Sequence, residues 1–176
     1  AQELDFDKIK NLLEEFKFLE VRNIVYYGEG EPLLHSKIQQ ILELTKNYSF
    51  RVELVTNGLN LNPGLADLLL EVPLWRLIIS LHSGKFDTFS KIRPSISMAD
   101  YNVLLDNIGY ISKNKSKSLA LVLRSVITKL NFDKIPEIVN FAKDYHFDEI
   151  EFIKPAGKAD LLEAFGLNGK EVEAVK

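Results

Sequence analysis

Short apolar runs alternate with longer amphipathic stretches along this whole chain, and that alternation limits the fold more than any single motif. Residues 22–27, 51–56, 75–81, 119–127 and 148–153 each read as a strand. Apolar residues recur at helical spacing between them: Phe6, Ile9, Leu12, Leu13, Phe16 and Phe18, then Ile38, Ile41, Leu42 and Leu44, then Leu65, Leu68 and Leu69. Tyr101, Leu104, Leu105, Ile108 and Ile111 mark a longer helix, and residues 133–145 form the next. Five strands separated by helices need crossover connections, so the sheet is parallel and each helix lies over a face. Runs 75–81 and 119–126 are almost continuously apolar. They fit a sheet covered by helices on one side and by packed side chains or ligand on the other. Periodicity does not separate an open sheet from part of a barrel.

Cap signals set the helix starts. Asp5 or Asp7 caps the first helix, and Ser36 with Gln39 makes a capping-box pattern for the second. Asn62-Pro63 supplies a cap and an N1 proline, Ser97 with Asp100 opens the long helix, and Pro136 sits in the first turn of 133–145. With 176 residues, 46% of them hydrophobic, the chain can bury a real core and reads as one domain over 1–176. A net charge of −3 draws it neither to nucleic acid nor to an anionic membrane. No apolar run approaches bilayer-spanning length, so a cytoplasmic protein is the expectation. The chain has no cysteine and so no disulfide. It begins Ala1-Gln2 and ends at Lys176 in a charged, helix-like stretch, so both ends read as cut from something longer.

Ligands of parallel α/β sheets bind at the carboxyl ends of the strands. The polar residues of this chain gather there. After the first apolar run come Gly28, Glu29, Gly30, Glu31 and Pro32. The glycines admit a ligand close to the backbone, and Pro32 pushes Glu31 toward extended geometry. Carbonyl oxygens and a carboxylate then face the space above the strand, a lip suited to a positively charged amino group. Asn57, Ser80, His82, Ser83, Arg124, Ile153 and Pro155 follow at later strand ends. Other ligand classes fit less well. Leu33 stands where a dinucleotide fingerprint needs its third glycine, and no P-loop run is present. His35, His82 and His146 lack metal-ligand spacing, and no serine sits in a nucleophile elbow.

The order of these turns carries a resemblance. Gly28-Glu29-Gly30-Glu31-Pro32-Leu33-Leu34-His35 resembles the G-G-E-P motif of radical S-adenosylmethionine (SAM) enzymes with its Leu-Leu-His continuation. Val55-Thr56-Asn57-Gly58 is similar to that family's T-N-G strand end. Ile78-Ile79-Ser80-Leu81-His82-Ser83-Gly84, followed by Ile92-Arg93, resembles the I-S-L-D-G strand and its I-R-G sequel, with His82-Ser83 replacing the aspartate. Val126-Ile127-Thr128-Lys129-Leu130-Asn131 is similar to V-V-T-K-x-N. Phe147-Asp148-Glu149-Ile150-Glu151-Phe152 resembles the last conserved strand, and Pro155-Ala156-Gly157-Lys158-Ala159 the P-T-G-R-A turn of peptide-maturing members.

The resemblance covers residues 5–160. It implies an α/β fold, a partial (βα) TIM-like barrel of parallel strands, of which this chain holds strands two to six. Strand 22–27 would then be an exposed edge. It further implies SAM across the strand ends and, in the full-length parent, a [4Fe–4S] cluster held by a C-x-x-x-C-x-x-C loop that this sequence lacks. Together these generate a 5′-deoxyadenosyl radical for hydrogen abstraction, with a peptide or protein among the candidate substrates. By resemblance, residues 28–31 would hold the SAM ammonium. Ser80 or Ser83 and Arg124 would meet its carboxylate or ribose, and the turn from Ile153 through Pro155 to Gly157 would border the adenine. This chain alone would be inactive. Two other readings stand beside it: a cluster-free relative acting as a binding or scaffold module, and an unrelated α/β binding domain with a coincidental glycine-acid turn. A doubly wound strand order would favour the last. Arg124 follows the apolar run 119–123, where a guanidinium must be paired or reach solvent. An ion pair with Glu29 or Glu31 is the structural alternative to a ligand role.

Overall fold

The computed structural model describes residues 3–28, 30–48, 50–156 and 166–167. Its elements run α1 (Phe6–Phe18), β1 (Asn23–Tyr26), a 3-10 turn (Pro32–Leu34), α2 (Ile38–Lys46), β2 (Arg51–Thr56) and α3 (Pro63–Glu71). They continue β3 (Leu74–Ser80), α4 (Phe86–Ile92), α5 (Met98–Asn114), β4 (Ala120–Val126), a second 3-10 turn (Phe132–Lys134), α6 (Ile135–Asp144) and β5 (Glu149–Ile153). All strand pairs are parallel and the order is β1-β2-β3-β4-β5. A sequential order with helices on one face is the barrel-type arrangement. It is not the doubly wound one that would have favoured an unrelated binding domain. β1 is an edge, as expected, and β5 is the other.

Alternation along the strands sorts the side chains. Val52, Leu54, Leu77, Ile79, Leu121 and Leu123 point to the helices, where they join Leu13, Leu42, Leu69, Phe89, Ile108 and Ile138 in one core. Each such aliphatic side chain, once fully buried, contributes about 1.5–3 kcal/mol. The opposite face holds a much smaller apolar seam of Val55, Ile78 and Val122. On either side of that seam the face is charged.

The caps follow the sequence with one difference, at Ser36. Asp5, not Asp7, caps α1, accepting from the amides of Asp7 and Lys8. Ser36 does not open α2; that helix begins after Lys37 without a side-chain cap, and Ser36 bonds Glu3 instead. Asn62 and the Ser97–Asp100 capping box act as expected. Phe18 is 85% exposed and Leu12 40%. Successive helix residues turn by about 100°, so Ile9, Leu13 and Phe16 face the core while Phe18 points away. Where the sequence predicts one helix over 133–145, the chain forms the second 3-10 turn and α6, and Asn131 just before them donates to the carbonyls of Val126 and His82.

Gly58 carries φ +80°, and a Cβ there would lie 2.6 Å from Leu104 Cδ1. Gly109, inside α5, has open space where a Cβ would go. Gly58→Ala should therefore cost roughly 2–4 kcal/mol in urea unfolding, from left-handed strain plus overpacking. Gly109→Ala should instead add about 0.5–1 kcal/mol.

Candidate functional site

The glycine-acid loop leaves β1 and folds back over the end of β2. Glu31 ends this loop as the N-cap of the first 3-10 turn, and Pro32 fixes the backbone just after it. The Glu31 carboxylate does not stand open above the strand, as the sequence suggests. Its Oε1 accepts from Thr56 Oγ1 at 2.6 Å and from Leu33 N at 3.1 Å, and its Oε2 accepts from Asn57 N at 2.7 Å. An extended backbone at Glu31 places the side chain within reach of the neighbouring strand end, where the Thr56 hydroxyl and the Asn57 amide take it up.

Beside this clasp lies a cavity of about 300 Å³ lined by Tyr27, Gly28, Gly30, Glu31, Val55, Thr56, Asn57, Ser80 and Arg93. It sits at the carboxyl ends of β1, β2 and β3. Gly28, Gly30, Glu31, Asn57 and Ser80, distant in sequence, thus share one wall. A Cβ at Gly28 would meet only Gly30 N, at 3.9 Å. The fold does not require a glycine at 28; its missing side chain is room in the cavity.

His82, Ser83, Arg124, Ile153 and Pro155 are not in that lining. His82 Nδ1 accepts the amide of Val126 at 3.2 Å, and its carbonyl accepts from Asn131. The ring thus joins the ends of β3 and β4. Burial, with Arg93 nearby, lowers its pKa to about 4. Ser83 is buried, with Oγ accepting from Lys85 N and lying 3.0 Å from Glu137 Oε1. Ile153 and Pro155 lie at the β5 side of the same rim. Glu29 and residues 157–159 of the last turn lie outside the described residues.

Arg124 is paired, but not to Glu29 or Glu31. Its Nε donates to Glu151 Oε2 at 2.6 Å. Parallel register sets Arg124 opposite Glu151 on one side and Ser80 on the other, so the three share a row on the charged face. Arg76 lies deeper on that face and holds Glu53 at 3.1 Å, Glu149 at 2.9 Å and Glu151 as well. The two arginines hold the Glu151 carboxyl below its ordinary pKa against the opposing effect of burial.

Four lining residues were not among the candidate site residues: Tyr27, Val55, Thr56 and Arg93. Arg93 closes α4 and lines the cavity together with the glycines. Among the described residues its guanidinium makes no ion pair or hydrogen bond. Burial lowers its pKa, and the charge of Glu31 partly offsets this; an arginine stays protonated regardless. The sequence signal was the Ile92-Arg93 match to the I-R-G sequel, which placed Arg93 in the resemblance without giving it a ligand role.

The fold's pH response centres on His82. In the unfolded chain an imidazole protonates near its ordinary value of 6.5, whereas the folded ring stays neutral down to about 4. Below 6.5 the unfolded chain binds a proton that the folded one refuses, so stability is complete above 6.5 and declines toward 4. Between pH 6.5 and pH 5 the loss should be about 2 kcal/mol. Urea unfolding at pH 7 and pH 5 should show it, and His82→Gln should flatten the difference.

A family model for the Radical SAM superfamily matches residues 1–142. The GTP 3′,8-cyclase of Marinobacter nauticus is 30% identical over 164 residues, 92% of this chain and 47% of that protein. A probable GTP 3′,8-cyclase of Sulfurisphaera tokodaii is 32% identical over 137 residues, 76% of this chain and 41% of that protein. The chain thus spans less than half the length of these curated relatives. Streptococcus suis SuiB bound to S-adenosylmethionine superposes on 90% of this chain and 36% of its own with a TM-score of 0.71, at 17% identity. SuiB is also solved with its precursor peptide SuiA.

Proposed function

This chain belongs to the radical SAM superfamily, and from that membership we propose that it is the SAM-binding part of a radical SAM enzyme. The cavity at the ends of β1 to β3 is the SAM site in this reading. The observation that carries it is that two glycines and a guanidinium with no ion pair or hydrogen bond among the described residues line one cavity. That arrangement brings backbone acceptors for an ammonium and a planar donor fork for a carboxylate to the same space. The methionyl group of SAM carries both charges. Backbone carbonyls of residues 28–31 hold the ammonium. Arg93 with Ser80 takes the carboxylate, because Arg124 is engaged by Glu151 while Arg93 is not. Asn57 is within the same wall for a ribose hydroxyl, and Ile153 and Pro155 border the adenine. Glu31 does not touch the ligand through its carboxylate in this reading; it fixes the lip.

When bound, SAM supplies the radical-forming chemistry of the superfamily, and the protein's part is to place it. An iron–sulfur cluster does not fit the residues present. The chain has no cysteine, and among the described residues no group of three His, Asp or Glu side chains could hold a metal. The thiolates for a [4Fe–4S] cluster would come from outside these 176 residues. The same lack of cysteine favours the second reading, a cluster-free SAM-binding or scaffold module that uses the same cavity. The substrate proposal is a peptide, supported by the fold shared with SuiB and its SuiA complex. The cyclases are named for a nucleotide instead. Residues 1–176 act as one domain in this proposal, in the cytoplasm; no described helix is long and apolar enough to cross a membrane.

Calorimetry with SAM separates the two arginines. Arg93→Ala should weaken binding about 10-fold or more, the loss of a charge-assisted pair. Arg124→Ala should lower the urea midpoint and change SAM affinity by less than about threefold. The reverse pattern would move the carboxylate to Arg124. No binding heat from wild type would remove SAM from this cavity.

A further inference from the structure

The residues just after the lip are tied to the residues just before α1. His35 Nδ1 accepts the amide of Lys37 at 3.0 Å, which fixes the tautomer and leaves Nε2–H to donate to the carbonyl of Leu4 at 2.7 Å. Next to it, Ser36 gives both its amide and its hydroxyl to the Glu3 carboxylate, at 3.1 and 2.8 Å. These bonds hold the Glu3 carboxyl below its ordinary pKa. They span 31 to 33 residues of chain. No apolar packing does this work: Glu3 and Leu4 are exposed, and α1 is anchored further along by Ile9, Leu13 and Phe16.

On the other side, His35 closes the 3-10 turn that Glu31 opens, through Leu34 N to Glu31 O at 3.0 Å and His35 N to Pro32 O at 3.1 Å. An unbroken run of bonds therefore links Leu4, His35, the 3-10 turn, Glu31 and Asn57. Exposed hydrogen bonds of this kind contribute little to global stability. They do fix the position of one segment against another.

We propose that His35 and Ser36 are positioning residues that fix the entrance of α1 to the lip of the cavity, so that ligand bound at the lip also orders residues 3–9. The proposal rests on the SAM reading of the cavity for its ligand and on the hydrogen bonds alone for the latch. It gives His35, which ends the Leu-Leu-His continuation of the glycine-acid motif, a role that neither core packing nor ligand contact explains. It also places the chain leading into Asp5 at a set distance from the cavity.

Hydrogen exchange on the 176-residue chain tests both parts, in wild type, His35→Ala and Ser36→Ala, without ligand and with saturating SAM. Without ligand, exchange over 3–9 should rise roughly threefold or more in the variants, while 12–18 stays unchanged. Thermal midpoints should remain within about 2 °C of wild type. With SAM, wild type should gain protection over 3–9 as well as at the lip; in His35→Ala the lip gains protection and 3–9 does not. Equal exchange over 3–9 in all three ligand-free proteins would overturn the latch. So would ligand protection of 3–9 that survives in both variants. A drop in midpoint like that of a core deletion would make His35 a stability residue instead. If wild type gains no protection at 28–31 or 56–57, the SAM reading of the cavity fails, and the ligand-free comparison still decides the latch.

Discussion

One carboxylate organises the functional end of this molecule. Glu31 receives a hydroxyl and two amides from Thr56, Asn57 and Leu33, and so joins the loop after β1 to the end of β2. Without those bonds, residues 27–31 would be an open connection whose glycines sample many conformations. With them, the loop becomes one wall of a cavity. The geometry suits a carboxylate because it accepts several donors at once, and bonds to an ionised acceptor are the stronger kind. Gly28 can then remain without a side chain at no cost to packing. The order of causes runs from a proline that sets the backbone of Glu31, to a carboxylate that clasps the next strand, to a space left open beside it.

The far side of the sheet shows a second constraint. A sheet buried on both faces needs apolar side chains on both, and among the described residues the buried apolar cluster of this face is Val55, Ile78 and Val122. Beside it Glu53, Arg76, Arg124, Glu149 and Glu151 are held together as a network. Charges in such a place must be paired, and pairing one strand to the next also fixes register. A face built this way adjoins a wet chamber more readily than a dry core. Arg76 and Glu151 therefore hold the β3–β5 side in shape, as Glu31 holds the β1–β2 side. Between them, Ser80 and Arg93 meet the cavity.

Much of this was legible in the residues. Strand number and parallel direction followed from the βα alternation, because period and turn chemistry are local properties, while the sequential order was implied only by the family resemblance that the ordered turns carry. The joint location of Gly28, Gly30, Asn57 and Ser80 followed from the parallel sheet, which brings all strand ends to one rim. Partner choice was less legible. Arg124 needed an anion, but whether it was Glu29, Glu31 or Glu151 depended on register, which places Glu151 directly opposite. Glu31 looked open to ligand because its clasp reaches 25 and 26 residues away. Ser36 had the spacing of a cap and became a partner of Glu3, a contact made only once α1 packs beside α2. Arg93 was quoted within a motif but given no role, because its place in the cavity depends on where the end of α4 packs, which is not a local property.

The central claim is that the clasped lip, Ser80 and Arg93 form one site for SAM. Amide and arginine side-chain chemical shifts, followed while SAM is added to the isotope-labelled chain, test it most directly. The account predicts saturable shifts at Gly28, Gly30, Thr56, Asn57 and Ser80, together with a slowed, shifted Arg93 guanidinium. A second cavity lies beside α2, and its lining residues away from the latch, Gln39, Gln40, Asn60 and Asn62, should stay silent. Shifts confined to that second cavity, or to the Arg76 network with Arg93 unmoved, would contradict it.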